Sequence, residues 1–80
     1  MQVDVLLFAS LKDEVGPTYR VELPEGADVK GLRLALAAAH PAFARLASRS
    51  LVAVNEEYAD DVTLVRSGDV IAVLPPVAGG

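Results

Sequence analysis

The 80-residue sequence contains no cysteine and only one histidine. Without cysteine, the chain has no disulfide, no zinc finger, no thiol nucleophile and no side-chain persulfide. The single histidine, His40, has no second imidazole or thiolate with which to form a metal site. Since His40 ends a helical pattern just before Pro41, we interpret it as a helix-end residue and not as a catalytic base.

Basic residues and long apolar runs are also scarce. Seven Lys and Arg stand against eleven Asp and Glu, and the formal net charge is -4. The basic residues form no cluster, so the electrostatic footprint of a nucleic-acid-binding protein is missing, and we expect basic protein partners instead. No apolar run reaches the roughly 20 residues of a membrane span, and the N-terminus lacks the basic region of a signal peptide. We therefore expect a cytoplasmic protein that binds neither nucleic acid nor membrane.

Motifs of self-contained catalysis are absent from the sequence. There is no G-x-x-x-x-G-K-[ST] phosphate loop and no local Ser-His-Asp motif. The acidic residues Glu56, Glu57, Asp60 and Asp61 do not follow the spacing of an EF-hand loop. We interpret them as solvated turn residues and expect neither a metal site nor a tightly bound cofactor.

Residue patterns predict a small α+β domain. Alternating or continuous apolar residues indicate strands over residues 2–9, 18–23, 51–54, 57–59 and 70–74. A main helix is expected over residues 29–40, with Asp28 as its N-cap. Ser10 and Asp13 resemble a capping box before a short helical turn. A further turn of helix is expected around residues 43–47, and Asn55-Glu56 suits a tight turn.

The order of these elements predicts the fold. One long helix against four or five strands indicates a mixed sheet with the helix packed on one face. The first and last strands are the most apolar, so we expect them side by side in the middle of the sheet. This is the ubiquitin-like β-grasp arrangement, which we assign to residues 1–74.

The first strand also predicts an open face of the sheet. Residues 3, 5 and 7 share one face, and residues 2, 4, 6 and 8 share the other. The charged Asp4 marks the second face as the open one, which leaves Leu6 and Phe8 without a helix over them. Exposed apolar patches on small domains usually bind partners, so we predict a partner surface there. The alternative is that the short helices fold over this patch.

The last six residues predict a tail that leaves the domain. Pro75 and Pro76 prevent continued sheet pairing and favour polyproline geometry, and six extended residues span about 20 Å. The tail continues through Val77 and Ala78 to a flexible Gly-Gly end. Because Gly79 and Gly80 have no Cβ, their backbone can pass through a narrow channel.

A C-terminal carboxylate at Gly80 suggests one chemistry that needs no cysteine. Adenylation by ATP would convert it into a mixed anhydride, and a sulfur nucleophile could displace AMP to leave a thiocarboxylate. The alternative is that Gly79-Gly80 is merely a floppy chain end.

Three segments carry a resemblance to a known family. Residues 5–16 (VLLFASLKDEVG), 53–58 (AVNEEY) and 67–80 (SGDVIAVLPPVAGG) resemble the opening, the third strand and the closing strand and tail of molybdopterin synthase small subunits. The resemblance covers nearly the whole chain, and the LPPVAGG ending is its most specific part.

The resemblance implies a role as a non-catalytic sulfur donor. A ubiquitin-activating-like enzyme would use ATP to adenylate Gly80, and a cysteine desulfurase or rhodanese would supply the sulfur. The tail, residues 75–80, would insert into the large subunit of a complex of two small and two large subunits. There it would donate sulfur to cyclic pyranopterin monophosphate. By position, the resemblance places four residues on the partner-facing surface: Phe8, Lys12, Tyr58 and Leu74.

Three other functions remain open from the sequence. The chain could carry sulfur for thiamine, cysteine or thiolated-tRNA synthesis. It could be a protein modifier that is conjugated through Gly80, as ubiquitin is. It could also be an interaction module whose tail has no role.

Overall fold

In the computed structural model, residues 1–46 and 49–76 are described, and they form five strands and three helices. The elements in chain order are β1 Gln2–Leu7, α1 Ala9–Val15, β2 Thr18–Glu22, α2 Val29–Ala39, α3 Pro41–Leu46, β3 Leu51–Val54, β4 Glu57–Ala59 and β5 Ile71–Leu74. The strands form one sheet in the order β2-β1-β5-β3-β4. β1 and β5 run parallel, whereas the other neighbours are antiparallel. The predicted mixed sheet, with its first and last strands side by side, is confirmed.

The helices cover one face of the sheet and bury the core there. Val29, Leu32 and Leu36 of α2 are at most 3% exposed, and Phe43 of α3 is 3% exposed. These side chains meet the inward-facing residues of the strands, of which Val5 is fully buried. Burial of such aliphatic and aromatic side chains is the main source of stability in a domain of this size.

α2 begins as the sequence predicts and ends one residue earlier. The Asp28 carboxylate accepts a hydrogen bond from the Gly31 N–H at 2.9 Å, so Asp28 is the N-cap. α2 ends at Ala39, and His40 follows as its C-cap in an extended conformation. Pro41 then starts α3, because proline suits the first position of a helix.

α1 starts earlier than predicted, and the predicted capping box is wrong. The helix begins at Ala9, its N-cap is Phe8, and no side chain caps it. Ser10 therefore lies inside the first turn instead of preceding it. Leu11 is only 1% exposed, so α1 contributes this side chain to the core. β1 stops at Leu7 and not at residue 9, because the helix starts at Ala9.

The hairpin between β3 and β4 has the predicted tight turn. Asn55 and Glu56 have φ angles of 52° and 71°, and a two-residue type I′ turn requires positive φ at both positions. The Asn55 side chain ties this turn to the start of the last strand. Its Nδ2 donates to Asp69 Oδ1 at 3.0 Å, and its Oδ1 accepts from the Val70 N–H at 2.9 Å.

Candidate docking surface and C-terminal tail

One row of side chains crosses the uncovered face of the sheet. Cross-strand pairing places these residues side by side, one from each of the five strands: Thr18, Leu6, Ala72, Ala53 and Tyr58. Leu6 is 37% exposed and Tyr58 is 74% exposed, while the two alanines between them are half-buried. The row therefore has two small side chains, Ala72 and Ala53, between the larger and exposed side chains of Leu6 and Tyr58.

A second apolar row lies next to the first, towards the end of β5. Leu74 pairs with Leu51 across β5 and β3, and Phe8 follows the Leu7–Val73 pair at the end of β1. Phe8 and Leu51 are each 44% exposed. The apolar residues of the two rows form what we call the docking face, which comprises Leu6, Phe8, Leu51, Ala53, Tyr58, Ala72 and Leu74.

The helices do not cover the docking face. α1 packs Leu11 into the core on the other side, and α3 buries Ala42 and Phe43 there. Leu6 and Phe8 stay exposed, as the alternation of β1 predicts. The alternative in which the short helices fold over this patch is therefore wrong. An apolar surface of this kind on a small domain is typical of a partner-binding site.

The structure brings together the residues that the resemblance placed on a partner-facing surface. Phe8, Tyr58 and Leu74 lie on the docking face. Lys12 is exposed one turn into α1, where its backbone N–H approaches the Phe8 carbonyl oxygen at 3.4 Å. Contact with a partner stays a prediction for all four residues. Sequence reasoning missed Leu51, although Val52 next to it is a core residue, so alternation along β3 would have indicated its outward direction.

The other end of the open face is polar. Arg20 Nε donates to Asp4 Oδ1 at 2.8 Å, and this hydrogen bond lowers the pKa of the Asp4 carboxyl. Asp69 accepts a hydrogen bond from the Arg66 backbone N–H at 2.8 Å. That bond is the largest cause of a lowered pKa at Asp69, and the Asn55 side chain adds to it. The open face thus changes from charged to apolar along β1 and β5.

The chain leaves the last strand at the apolar end of the open face. Strand pairing ends at Leu74, and Pro75 and Pro76 follow it outside any strand. Since β1 and β5 are parallel, this exit lies at the same end of the sheet as Phe8. Val77, Ala78, Gly79 and Gly80 lie outside the described residues, so a tail of residues 75–80 and its reactive end stay predictions.

The acidic residues of the β4–β5 connection have structural partners. Asp60 accepts from the Val62 N–H and from the Thr63 hydroxyl, at 3.2 and 3.0 Å. Asp61 pairs with Arg33 at 3.0 Å. Across residues 1–46 and 49–76, no group of three or more His, Asp or Glu is arranged to hold a metal ion. No helix in these ranges is long and apolar enough to cross a membrane.

The sequence of this chain matches a known protein family over most of its length. The sequence profile of the ThiS family matches residues 5–80. The chain belongs to the ThiS family. The molybdopterin synthase sulfur carrier subunit of Chlamydomonas reinhardtii is 35% identical to this ThiS-family chain, over the full length of both proteins. The resemblance drawn from residues 5–16, 53–58 and 67–80 is thus confirmed.

Solved structures of relatives have the same fold as this ThiS-family chain. Small archaeal modifier protein 1 of H. volcanii is 32% identical, with a TM-score of 0.81 over 95% of this chain and 98% of that one. A solved structure from Helicobacter pylori contains subunits 1 and 2 of its molybdopterin-converting factor in complex. One chain of that complex matches this chain with a TM-score of 0.69 and 28% identity, over 100% of each of the two matched chains. The predicted ubiquitin-like β-grasp fold is confirmed.

Proposed function

We propose that this ThiS-family chain is the sulfur carrier subunit of a molybdopterin synthase. Full-length similarity to a curated sulfur carrier subunit is the observation that carries the proposal. One geometric feature supports it: strand pairing ends at Leu74, and Pro75 and Pro76 follow it at the edge of an apolar docking face. A partner that covers this face would receive the tail at a fixed position.

The chemistry takes place at the Gly80 carboxylate. A carboxylate oxygen attacks the α-phosphorus of ATP on an adenylating enzyme, which releases pyrophosphate and forms an acyl adenylate. The terminal sulfur of a persulfide on a cysteine desulfurase or rhodanese then displaces AMP and gives an acyl disulfide. A second thiol, acting as the reductant, attacks the cysteine sulfur of that S–S bond, which leaves a thiocarboxylate at the terminus and a disulfide on the donor. Since this chain contains no cysteine, all of the sulfur that it carries is at Gly80.

The thiocarboxylate acts inside the large subunit. The docking face binds that subunit, with Phe8, Tyr58 and Leu74 in contact and Lys12 beside them, while the tail enters its pocket. Six extended residues reach about 20 Å, which is far enough to enter a buried site. The large subunit supplies the acid–base groups, and two sulfur transfers to cyclic pyranopterin monophosphate build the dithiolene. The complex contains two small and two large subunits, and it works in the cytoplasm.

The complex of subunits 1 and 2 of the H. pylori molybdopterin-converting factor supports the pairing with a large subunit. One member of that complex has the fold of this chain. The apolar docking face of this chain offers such a pairing an apolar centre, which is typical of the buried core of an interface.

The test is the intact mass of the untagged protein after incubation with an adenylating enzyme, ATP and a sulfide source. We expect a mass increase equal to the replacement of one oxygen by sulfur. A variant that lacks Gly80 should show no increase and should unfold at nearly the same temperature, because the tail follows the last strand. Subsequent addition of the large subunit and cyclic pyranopterin monophosphate should return the carrier to its original mass.

Two outcomes would overturn this function. An unchanged mass in the presence of an active adenylating enzyme would remove the carrier chemistry. Stable isopeptide adducts between Gly80 and lysines of other proteins, with no sulfur transfer to the pterin precursor, would assign the chain to the protein modifiers.

A further inference from the structure

His40 joins two helices. Its backbone is extended, with φ −150° and ψ 135°, and its N–H donates to the Leu36 carbonyl oxygen at 3.1 Å, which closes α2. Its own carbonyl oxygen accepts from the N–H groups of Phe43 and Ala44 at 3.1 and 3.2 Å, which opens α3. The backbone of one residue therefore satisfies the end of one helix and the start of the next.

The imidazole of His40 also caps α3. Its Nδ1 accepts a hydrogen bond from the Ala42 N–H at 3.1 Å. With Pro41 at the first helical position, Ala42 is the second, and this is where an N-cap side chain normally bonds. Ser, Thr, Asp and Asn are the usual residues at such positions. Histidine differs from Ser, Thr and Asn because its acceptor nitrogen can take up a proton in the physiological pH range.

Protonation would reverse the role of Nδ1. Both ring nitrogens of an imidazolium are donors, so the bond from the Ala42 N–H would be lost. The new positive charge would also face the N-terminal end of α3, where the peptide dipoles favour a negative charge. Both effects act against α3, which supplies Ala42 and Phe43 to the core.

Two aromatic rings lie against the imidazole of His40. The Tyr19 ring of β2 meets the imidazole edge-on with centroids 6.4 Å apart, and the Phe43 ring of α3 does so at 6.0 Å. Tyr19 is the titratable group in these contacts. The charged side chains that connect α3 with α1, Arg45 and Glu14, pair with each other at 2.5 Å.

We propose that His40 is a pH-sensitive cap at the α2–α3 joint. The neutral imidazole holds the first turn of α3, and protonation releases it. The exposed Arg45–Glu14 pair connects α3 to α1, the helix that starts next to Phe8 on the docking face. The proposal concerns the fold and does not depend on the sulfur-carrier function.

A titration of the ¹⁵N-labelled full chain, followed by NMR between about pH 5.5 and 8, tests the proposal directly. We expect the amide resonance of Ala42 to shift with the same midpoint as the His40 ring protons. We also expect the hydrogen-exchange protection of the Ala42 amide to fall on the acid side, relative to that of a reference amide. The Leu32 amide, in the middle of α2, is the internal reference. A His40 ring that titrates while the Ala42 amide moves no more than that of Leu32 would overturn the proposal.

Two variants separate capping from aromatic packing. His40→Asn keeps a side-chain acceptor that does not titrate, whereas His40→Ala removes the acceptor. We compare how far the Tm falls when the pH is lowered from about 7.5 to 5.5. This fall should be about 4 °C or more larger in the wild type than in His40→Asn, which is the size expected for the loss of one cap. His40→Ala should be destabilised at both pH values. Parallel Tm curves for the wild type and His40→Asn would refute the pH-sensitive cap, and the wild-type titration decides if the variants do not fold.

Discussion

The two faces of the sheet are built from the same strands, but the helices cover only one of them. On β1, Val3, Val5 and Leu7 are at most 4% exposed under the helices, whereas Leu6 is 37% exposed on the open face. Both sets are apolar, so hydrophobicity alone does not distinguish a residue that holds the fold from one that binds a partner. What distinguishes them is whether a helix of the same chain covers them. The following changes test that distinction, from the largest expected effect to the smallest.

Leu36→Asp should unfold the domain. Leu36 is 3% exposed in α2, and the variant would bury an unpaired carboxylate in the core. Leu34, two residues earlier on the same helix, is 62% exposed and is the matched control. Circular dichroism melts should show no cooperative transition for Leu36→Asp and a nearly unchanged Tm for Leu34→Asp. A folded Leu36→Asp variant would mean that the helix-covered face is not the stabilising one.

Tyr58→Asp should weaken binding and leave the fold intact. Tyr58 is 74% exposed at the edge of the docking face, so its loss costs little core packing. Aromatic residues of this kind often carry a large share of the binding energy at an interface. Calorimetry with the large subunit should show at least about a tenfold loss of affinity, equivalent to about 1.4 kcal/mol. Leu34→Asp, on the helical side, should bind normally, and equal losses in both variants would contradict the proposed docking face.

Asp69→Asn should lower stability at neutral pH and less so in acid. The hydrogen bond from the Arg66 backbone N–H, followed by the one from Asn55, lowers the pKa of the Asp69 carboxyl. A carboxyl whose pKa is lower in the folded state than in the unfolded state stabilises the fold when the pH is above the unfolded-state pKa. This stabilisation disappears as the pH falls through the folded-state pKa. Melts of the variant should therefore approach those of the wild type as the pH is lowered.

Asp13→Asn is the control for that titration. Asp13 is exposed on α1 and has no side-chain hydrogen bond among the described residues. The Tm of this variant should stay close to that of the wild type, because the substitution removes no hydrogen bond that the structure describes. If Asp69→Asn behaves in the same way, the polar end of the open face does not depend on the Asp69 charge.

Glu56→Gly should raise stability slightly. Glu56 has a φ of 71° in the β3–β4 turn, a conformation that costs less for glycine than for glutamate. We expect a gain of about 1 kcal/mol or less, measured by urea denaturation. The neighbouring Glu57→Gly, in the extended β4 strand, should instead destabilise the protein, because glycine weakens strands. A loss of stability in both variants would mean that the turn gains nothing from glycine.

Much of the fold was predictable because local patterns and tertiary packing agree. The alternation along β1 predicted both faces, and Asp28 predicted the start of α2, because its carboxylate finds the Gly31 N–H three residues away. The start of α1 was not predictable from capping residues. No side chain caps that helix, so no capping residue marks Ala9 as its start.

The sequence by itself determined the strands, the main helix, the absence of thiol chemistry and the resemblance to sulfur carrier subunits. These properties depend on residue type and on neighbours within a few positions. Only the tertiary structure decided which apolar residues stay uncovered and where they meet. Leu6 is far in the chain from Ala53 and Tyr58, and it shares one row with them only because β5 lies between β1 and β3 in the same sheet. Cross-strand register is a property of the whole sheet, and it places Leu74, where strand pairing ends, on the docking face.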